Sequence, residues 1–223
     1  MQATPDTALP RPFVIAHRGG NELAALRDAE RLGIRLVEAD LRLFRGRVDV
    51  RHLKSVGPLP LYWDRWRVAA PWSARLGLDE LLEATAAGTE LMLDLKGRRR
   101  ELALLVRDAI APHLGSRRFT LCARAAPLLE PFADLPVRRF RSLGSARQLR
   151  RFLEQVHLHE VDGVSIHARL VAPRTMEALR DRVRVVVTWP VNRVEHALEL
   201  ASLGVDGLIS DVPGVLVAPE GEA

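Results

Sequence analysis

Glu38 and Asp40 stand two residues apart in RLVEADL, and Asp94 and Lys96 stand two apart in LMLDLKG. Both stretches have the apolar character of buried strands, and residues two apart on a strand share a face. With Val37, Ala39 and Leu41 around them, Glu38 and Asp40 are expected to point inward. Two buried carboxylates repel and raise each other's pKa, so keeping them charged calls for a cation between them. Such an oxygen site suits a hard divalent ion, Mg²⁺ or Ca²⁺.

Two histidines belong with this set. After the first stretch comes FRGR, too short for a parallel crossover, which needs about a dozen residues. RVDVRH is therefore predicted to run back antiparallel. A three-residue turn Arg45-Gly46-Arg47, with Gly46 left-handed, puts His52 opposite Asp40 on the same face. A slip of one residue would turn it away, and the register expected is the one that joins the charges. His17 and Arg18 follow another strand-like run, in FVIAHRGG. Cations beside an anionic metal site suit a phosphate group, where metal and arginine stabilise charge developing on oxygen. Histidines that titrate near neutrality can act as base and acid on either side of phosphorus. The set reads as machinery for phosphodiester cleavage.

For these groups to meet, their strands must end on one rim. Strand-like runs fall at 13–17, 35–41, 91–96, 119–123, 137–140, 163–167, 183–189 and 207–211. Helical patterns with apolar spacing near 3.6 separate most of them, as in NELAALRDAERLG, RELALLVRDAIAPHL, SARQLRRFLEQVHL and RVEHALELASLG. Gly33 and Gly204 follow two of these as C-terminal caps would. Eight strands alternating with helices predict a single-domain α/β protein, a (β/α)₈ TIM barrel, whose strand C-termini form the functional face. VDGVSI at 161 and VDGLIS at 205 are a weak internal echo. An open doubly wound sheet is the alternative, but HRGG is not its glycine-rich phosphate loop. Residues 53–77 break the alternation with three prolines and Trp63, Trp66 and Trp72. They are expected to form a long loop above strand two, either packed on the rim or acting as a lid or apolar surface for a lipid-like substrate.

The domain limits read as a loose leader at 1–12, the barrel at 13–217 and a tail at 218–223. The chain has 223 residues, is 48% hydrophobic and carries a net charge of +5. No apolar run approaches the roughly 20 residues of a membrane span, so no stable membrane anchor is expected. The opening residues lack a signal-peptide pattern and the lone Cys122 reads as a core residue, which together point to the cytoplasm. Basic clusters such as KGRRR and RQLRR are scattered and lack interleaved aromatics, so no nucleic-acid partner is expected. The expected partner is a small phosphodiester; oligomeric state is left open. Ser165 and His167 read as a core or rim pair, Asp211 as the cap of a following helix, and His157, His159 and His196 as surface residues.

AHRGG, VEADLRL with VDVRH, LDELLEA, LMLDLKG, VVVTWPVN and GVDGLISDVPGVL, in this order, resemble the glycerophosphodiester phosphodiesterases from about residue 13 to 217. The resemblance implies a TIM barrel with a divalent metal ion that hydrolyses glycerophosphodiesters to glycerol 3-phosphate and an alcohol. It implies His17 and His52 as the acid/base pair, Arg18 and Lys96 as phosphate contacts, and Trp189 beside the substrate. Glu38, Asp40 and Asp94 are implied as metal ligands. In the family the neighbouring glycerol hydroxyl attacks phosphorus and water opens the resulting cyclic phosphate. Three positions depart from the pattern. Gly20 stands where the family has Glu, with Glu22 as a substitute out of register by two; Leu53 replaces the Asp after the second histidine; and Asp94 replaces Glu, with about one methylene less reach. A relative acting on lysophospholipids and a catalytically weak barrel that binds phosphorylated ligands are the alternatives.

Overall fold

Alternating runs of strand and helix former leave each strand with one apolar flank for the helices and a second for its own interior, and a closed barrel satisfies both. The structure is a computed structural model and describes residues 11–52, 54–55, 62–64, 67–69, 76–155 and 160–217. In chain order the strands are β1 (Phe13–Ala16), β2 (Leu36–Phe44), β3 (Arg47–Val50), β4 (Lys54–Ser55), β5 (Tyr62–Asp64), β6 (Arg67–Ala69), β7 (Glu90–Leu95), β8 (Phe119–Ala123), β9 (Arg138–Leu143), β10 (Gly163–His167), β11 (Val185–Trp189) and β12 (Gly207–Ser210). The helices are α1 (Leu23–Arg31), α2 (Leu78–Ala84), α3 (Arg100–Ile110), α4 (Ala146–Gln155), α5 (Pro173–Arg180) and α6 (Val194–Ser202).

Strands β1, β2, β7, β8, β9, β10, β11 and β12 pair in parallel, each with the next. β12 returns to β1, with Phe13 opposite Gly207 and Ala16 opposite Ser210, and the cylinder closes. This is the predicted TIM barrel. One crossover departs from the pattern. Between β8 and β9 the described chain makes two 3-10 turns, Ala126–Leu128 and Glu130–Phe132, in place of an α-helix. Pro127 and Pro131 sit at their starts, and each removes an N–H that a continuous helix would need. Gly33 and Gly204 do end α1 and α6, at φ 70° and 82°. Among the described residues no helix is long and apolar enough to cross a membrane.

The barrel is filled from within by Phe13, Ile15, Leu36, Met92, Phe140 and Val187, all buried, with Cys122 among them as expected. A larger apolar layer, including Leu26, Leu81, Leu93 and Val106, lies between strands and helices. Full burial of one such aliphatic side chain stabilises the fold by roughly 1.5–3 kcal/mol. The VDG echo has a cause in this packing. Asp162 accepts the backbone N–H of Arg139 at 2.9 Å, and Asp206 accepts that of Val186 at 2.8 Å, so each ties the base of its strand to a neighbour. A Cβ on the following glycine would lie 2.7 Å from the Phe140 ring at Gly163 and 2.5 Å from the Phe13 ring at Gly207. The repeated glycines therefore make room for the two aromatic rings at the barrel base.

The hairpin after β2 forms, but in a different register from the expected one. Phe44 faces Arg47 and Leu41 faces Val50, leaving a two-residue turn, Arg45-Gly46, with φ 48° and 75°. Two left-handed residues make a type I′ turn, whose twist matches the flanking strands better than the predicted three-residue turn. Within 53–77 the backbone is not one long loop: β4, β5 and β6 form a three-stranded antiparallel sheet. The Trp66 and Trp72 readings and the Trp63 side chain lie outside the described residues, as do His157, His159, Leu53, residues 1–10 of the leader and the 218–223 tail.

Candidate active site

Strands β2 and β7 run side by side with Asp40 opposite Asp94, and their inward residues deliver the acidic set. Glu38, Asp40 and Asp94 each offer a carboxylate oxygen, and these atoms lie within 4.8 Å of one another. Glu38 and Asp40 are 4% and 1% exposed, so water does little to separate their charges. Asp40 is the better supported. Asn21 grips it twice, donating Nδ2 to Oδ2 at 2.9 Å and accepting the Asp40 backbone N–H at 2.8 Å. Lys96 Nζ lies 2.6 Å from Oδ1 and also bonds Asp94. Burial works against the charge on Asp40, but the His52 hydrogen bond, the Lys96 charge and Asn21 outweigh it and hold the carboxyl far below its ordinary range. Glu38 goes the other way, pushed up by burial and then by the charge of Asp40, with Lys96 and the Arg18 backbone N–H (2.7 Å from Oε2) in partial opposition. Arg18 reaches that bond from a left-handed backbone, φ 57°. Burial disfavours the Lys96 ammonium, yet Asp94, Asp40 and Glu38 raise its pKa well above the usual lysine range.

His52 meets Asp40 even though the hairpin register is slipped by one. The ladder stops at Val50, Arg51 N still reaches Asp40 O at 2.8 Å, and the chain bends at His52. The bend brings His52 Nδ1 to 3.1 Å from Asp40 Oδ2, and Arg42 Nε holds the His52 carbonyl at 3.1 Å. The contact expected from the sequence exists, but a bend and not strand pairing produces it. On the other side of the ring, His52 Nε2 lies 3.0 Å from Arg18 Nη2. An arginine only donates and an ionised carboxylate only accepts, so this pair of contacts suits the tautomer with its proton on Nδ1.

His17 follows β1 directly, and its Nδ1 lies 2.6 Å from Asp211 Oδ1. Asp211 was expected to cap a helix. Instead the 3-10 turn Pro213–Val215 has no side-chain cap, and Ser210 Oγ takes the Val212 N–H at 3.1 Å. Asp211 is held by Asn192, which donates to Oδ2 at 2.9 Å and accepts the Asp211 backbone N–H at 2.9 Å. The His17 hydrogen bond brings the Asp211 pKa down to about 2. An ionised carboxylate only accepts, so this contact suits the tautomer with N–H on Nδ1, which leaves Nε2 for the cavity that His17 lines. Sequence reasoning missed Asp211, Asn192 and Asn21 in these roles. VVVTWPVN and GVDGLISDVPGVL contained two of them, but no local pattern joins Asn192 to Asp211 or Asp211 to His17.

All eight residues singled out from the sequence are on the barrel mouth. A cavity of about 1130 Å³ opens there, lined by His17, Arg18, Glu38, His52, Asp94, Lys96 and Trp189, with Asp40 beneath them. Trp189 packs against His167 with the rings tilted, centroids 4.9 Å apart at 59°. Ser165 is buried, and both it and His167 line the cavity. Glu22 does not join the acidic set; it is exposed at the start of α1. Nor can a side chain occupy position 20 in this turn, because a Cβ there would lie 2.8 Å from that of Ala39. Three carboxylates, hard oxygen donors within reach of one another, fit a divalent cation beside Lys96.

The barrel belongs to a fold class known from solved phosphodiesterases. It is similar to a phosphodiesterase from Oleispira antarctica, solved in complex with the product sn-glycerol-3-phosphate, with a TM-score of 0.75 and 20% identity over 92% of this chain and 95% of that one. It is also similar to a glycerophosphodiester phosphodiesterase from Thermotoga maritima, with a TM-score of 0.70 and 20% identity over 93% of this chain and 97% of that one. No protein-family model matches the sequence, and no curated protein does. At this identity the likeness establishes the shared fold.

Proposed function

We propose that the chain is a metal-dependent phosphodiesterase of the glycerophosphodiester phosphodiesterase family, acting in the cytoplasm on glycerophosphodiesters and releasing glycerol 3-phosphate and an alcohol. The observation that carries the reading is the acidic trio of Glu38, Asp40 and Asp94 with His17 and His52 beside it at the mouth of a barrel of this fold. A relative of that fold holds glycerol 3-phosphate as its product.

Glu38, Asp40 and Asp94 would hold the metal, Mg²⁺ or Ca²⁺. When bound, such an ion supplies a Lewis acid that stabilises negative charge on phosphoryl oxygens. The chain's own residues do the rest. Arg18 and Lys96 place positive charge against the phosphate, and Trp189 forms a flat wall for the organic part of the substrate. His17, oriented by Asp211, and His52, oriented by Asp40, form the acid/base pair. One takes the proton of the neighbouring glycerol hydroxyl as its oxygen attacks phosphorus, and the other gives a proton to the departing alcohol. The roles then reverse as water opens the cyclic phosphate. His52 enters the reaction by exchanging its Arg18 contact for substrate.

The test is glycerol 3-phosphate release from glycerophosphodiesters by wild type, His17→Ala and His52→Ala. Each substitution should lower kcat by at least about 100-fold, the usual contribution of a positioned acid or base. Full turnover in either variant would place the chemistry elsewhere.

A further inference from the structure

The rim of the cavity around the ends of β7 to β11 has its own charge pattern. Going round the mouth from β7 to β11 it presents Arg98, Arg124, His167 and Trp189. Arg98 follows Lys96 beyond the end of β7, and Arg124 follows Ala123 at the end of β8. Both are exposed, and among the described residues neither makes an ion pair. The Arg124 guanidinium is not directed away from the mouth. A methyl group built on Gly144, at the end of β9, would lie 3.7 Å from Arg124 Nη2 and 3.5 Å from Trp189 Cη2, so both side chains reach over the same point.

Among the described residues no carboxylate answers these arginines. Asp94 is bonded by Lys96, and Asp211 by His17 and Asn192. His167 accepts the Arg169 N–H on Nδ1 at 3.2 Å, and burial followed by the Arg169 charge lowers its pKa, so the aromatic wall is neutral. The cavity, about 1130 Å³, is larger than the range of about 300–1,000 Å³ usual for ligand sites and exceeds the need of one phosphodiester group.

Resting on the phosphodiesterase reading, we propose that Arg98 and Arg124 select substrates carrying a second negative charge, a phosphomonoester or a carboxylate, on the part that extends from the phosphodiester over β7 and β8. Two guanidiniums without an ion-pair partner among the described residues offer planar donor forks that match either anion. The same two charges repel a quaternary ammonium placed there, so selection works by attraction and exclusion together.

The experiment compares kcat/KM of the full chain, with Mg²⁺ or Ca²⁺ supplied, for four glycerophosphodiesters. Their alcohols are choline (cationic), glycerol (neutral), glycerate (carboxylate) and glycerol phosphate (phosphomonoester). An anionic substrate should exceed glycerophosphocholine by about tenfold or more, the worth of one charged hydrogen bond. The two anionic arms tell carboxylate from phosphate recognition. Arg98→Gln with Arg124→Gln should lower kcat/KM for the anionic substrate about tenfold more than for the neutral one, chiefly through KM. Arg98→Lys with Arg124→Lys should recover part of the preference, and raised salt should narrow it in the wild type. Preference for the choline ester, or a loss in the Gln variant that is equal for neutral and anionic substrates, overturns this inference alone. Turnover of none of the four removes the phosphodiesterase reading with it.

Discussion

Asp40 and Glu38 sit two residues apart in one interior yet end with opposite tendencies. The donors around each decide this: burial opposes both charges, but His52, Lys96 and Asn21 overcome it at Asp40, whereas at Glu38 Lys96 and the Arg18 N–H do not overcome burial and the Asp40 charge. Removing Asn21 should therefore matter beyond its size. Asn21→Ala leaves the buried Asp40 N–H and one carboxylate oxygen short of a partner, and should destabilise the fold by about 1–3 kcal/mol in denaturant titration. A cost within error of zero would mean that Asn21 does not support Asp40. Asp211 yields a pH prediction. Its pKa of about 2 lies below the ordinary aspartate value of about 3.9, so its stabilisation is complete above about pH 5 and is lost as pH falls toward 2. Asp211→Asn should be less stable than wild type near neutrality, the gap narrowing below about pH 4. Its kcat should fall by at least about tenfold through misorientation of His17. A pH-independent gap would contradict the assigned His17–Asp211 bond. The residue pattern showed the acidic set because its members are close in sequence or share strand parity. It hid Asp211, whose partner is 194 positions away and whose SDVPG context looks like a cap.

Elements carry these residues, and here the sequence was legible to differing depths. The eight strands stand out because an apolar run that alternates with amphipathic helices has few other places to go. Registers are harder, since a one-residue slip keeps the same composition. The Arg45-Gly46 turn shows why: its left-handed pair depends on an arginine adopting φ 48°, which nothing in FRGR announces. Gly46 carries the greater constraint at φ 75°. Gly46→Ala should cost about 1 kcal/mol and lower the thermal midpoint by a few degrees, read by calorimetry, because a Cβ is strained there. Loss of kcat larger than that stability change would show that the hairpin also sets the position of His52. An unchanged midpoint would mean that the turn has relaxed to another type.

At the scale of the whole molecule the barrel separates the two demands made on its sequence. Its base is closed by Phe13, Phe140 and the paired Asp-Gly corners, which have no part in the chemistry. Its mouth gathers charge from the ends of β1, β2, β7 and β12 and from the hairpin. Lys96 offsets one of the three carboxylates united there, and a dication held by Glu38, Asp40 and Asp94 would offset the other two, so the proposed function turns on that ion. The most direct measurement is glycerol 3-phosphate release from glycerophosphodiesters with Mg²⁺ or Ca²⁺, with chelator, and in Glu38→Gln. The account predicts turnover with metal, its loss with chelator, its return on adding the ion back, and a fall of at least about 100-fold in the variant. Turnover that persists in chelator, or at the wild-type rate in Glu38→Gln, would contradict it.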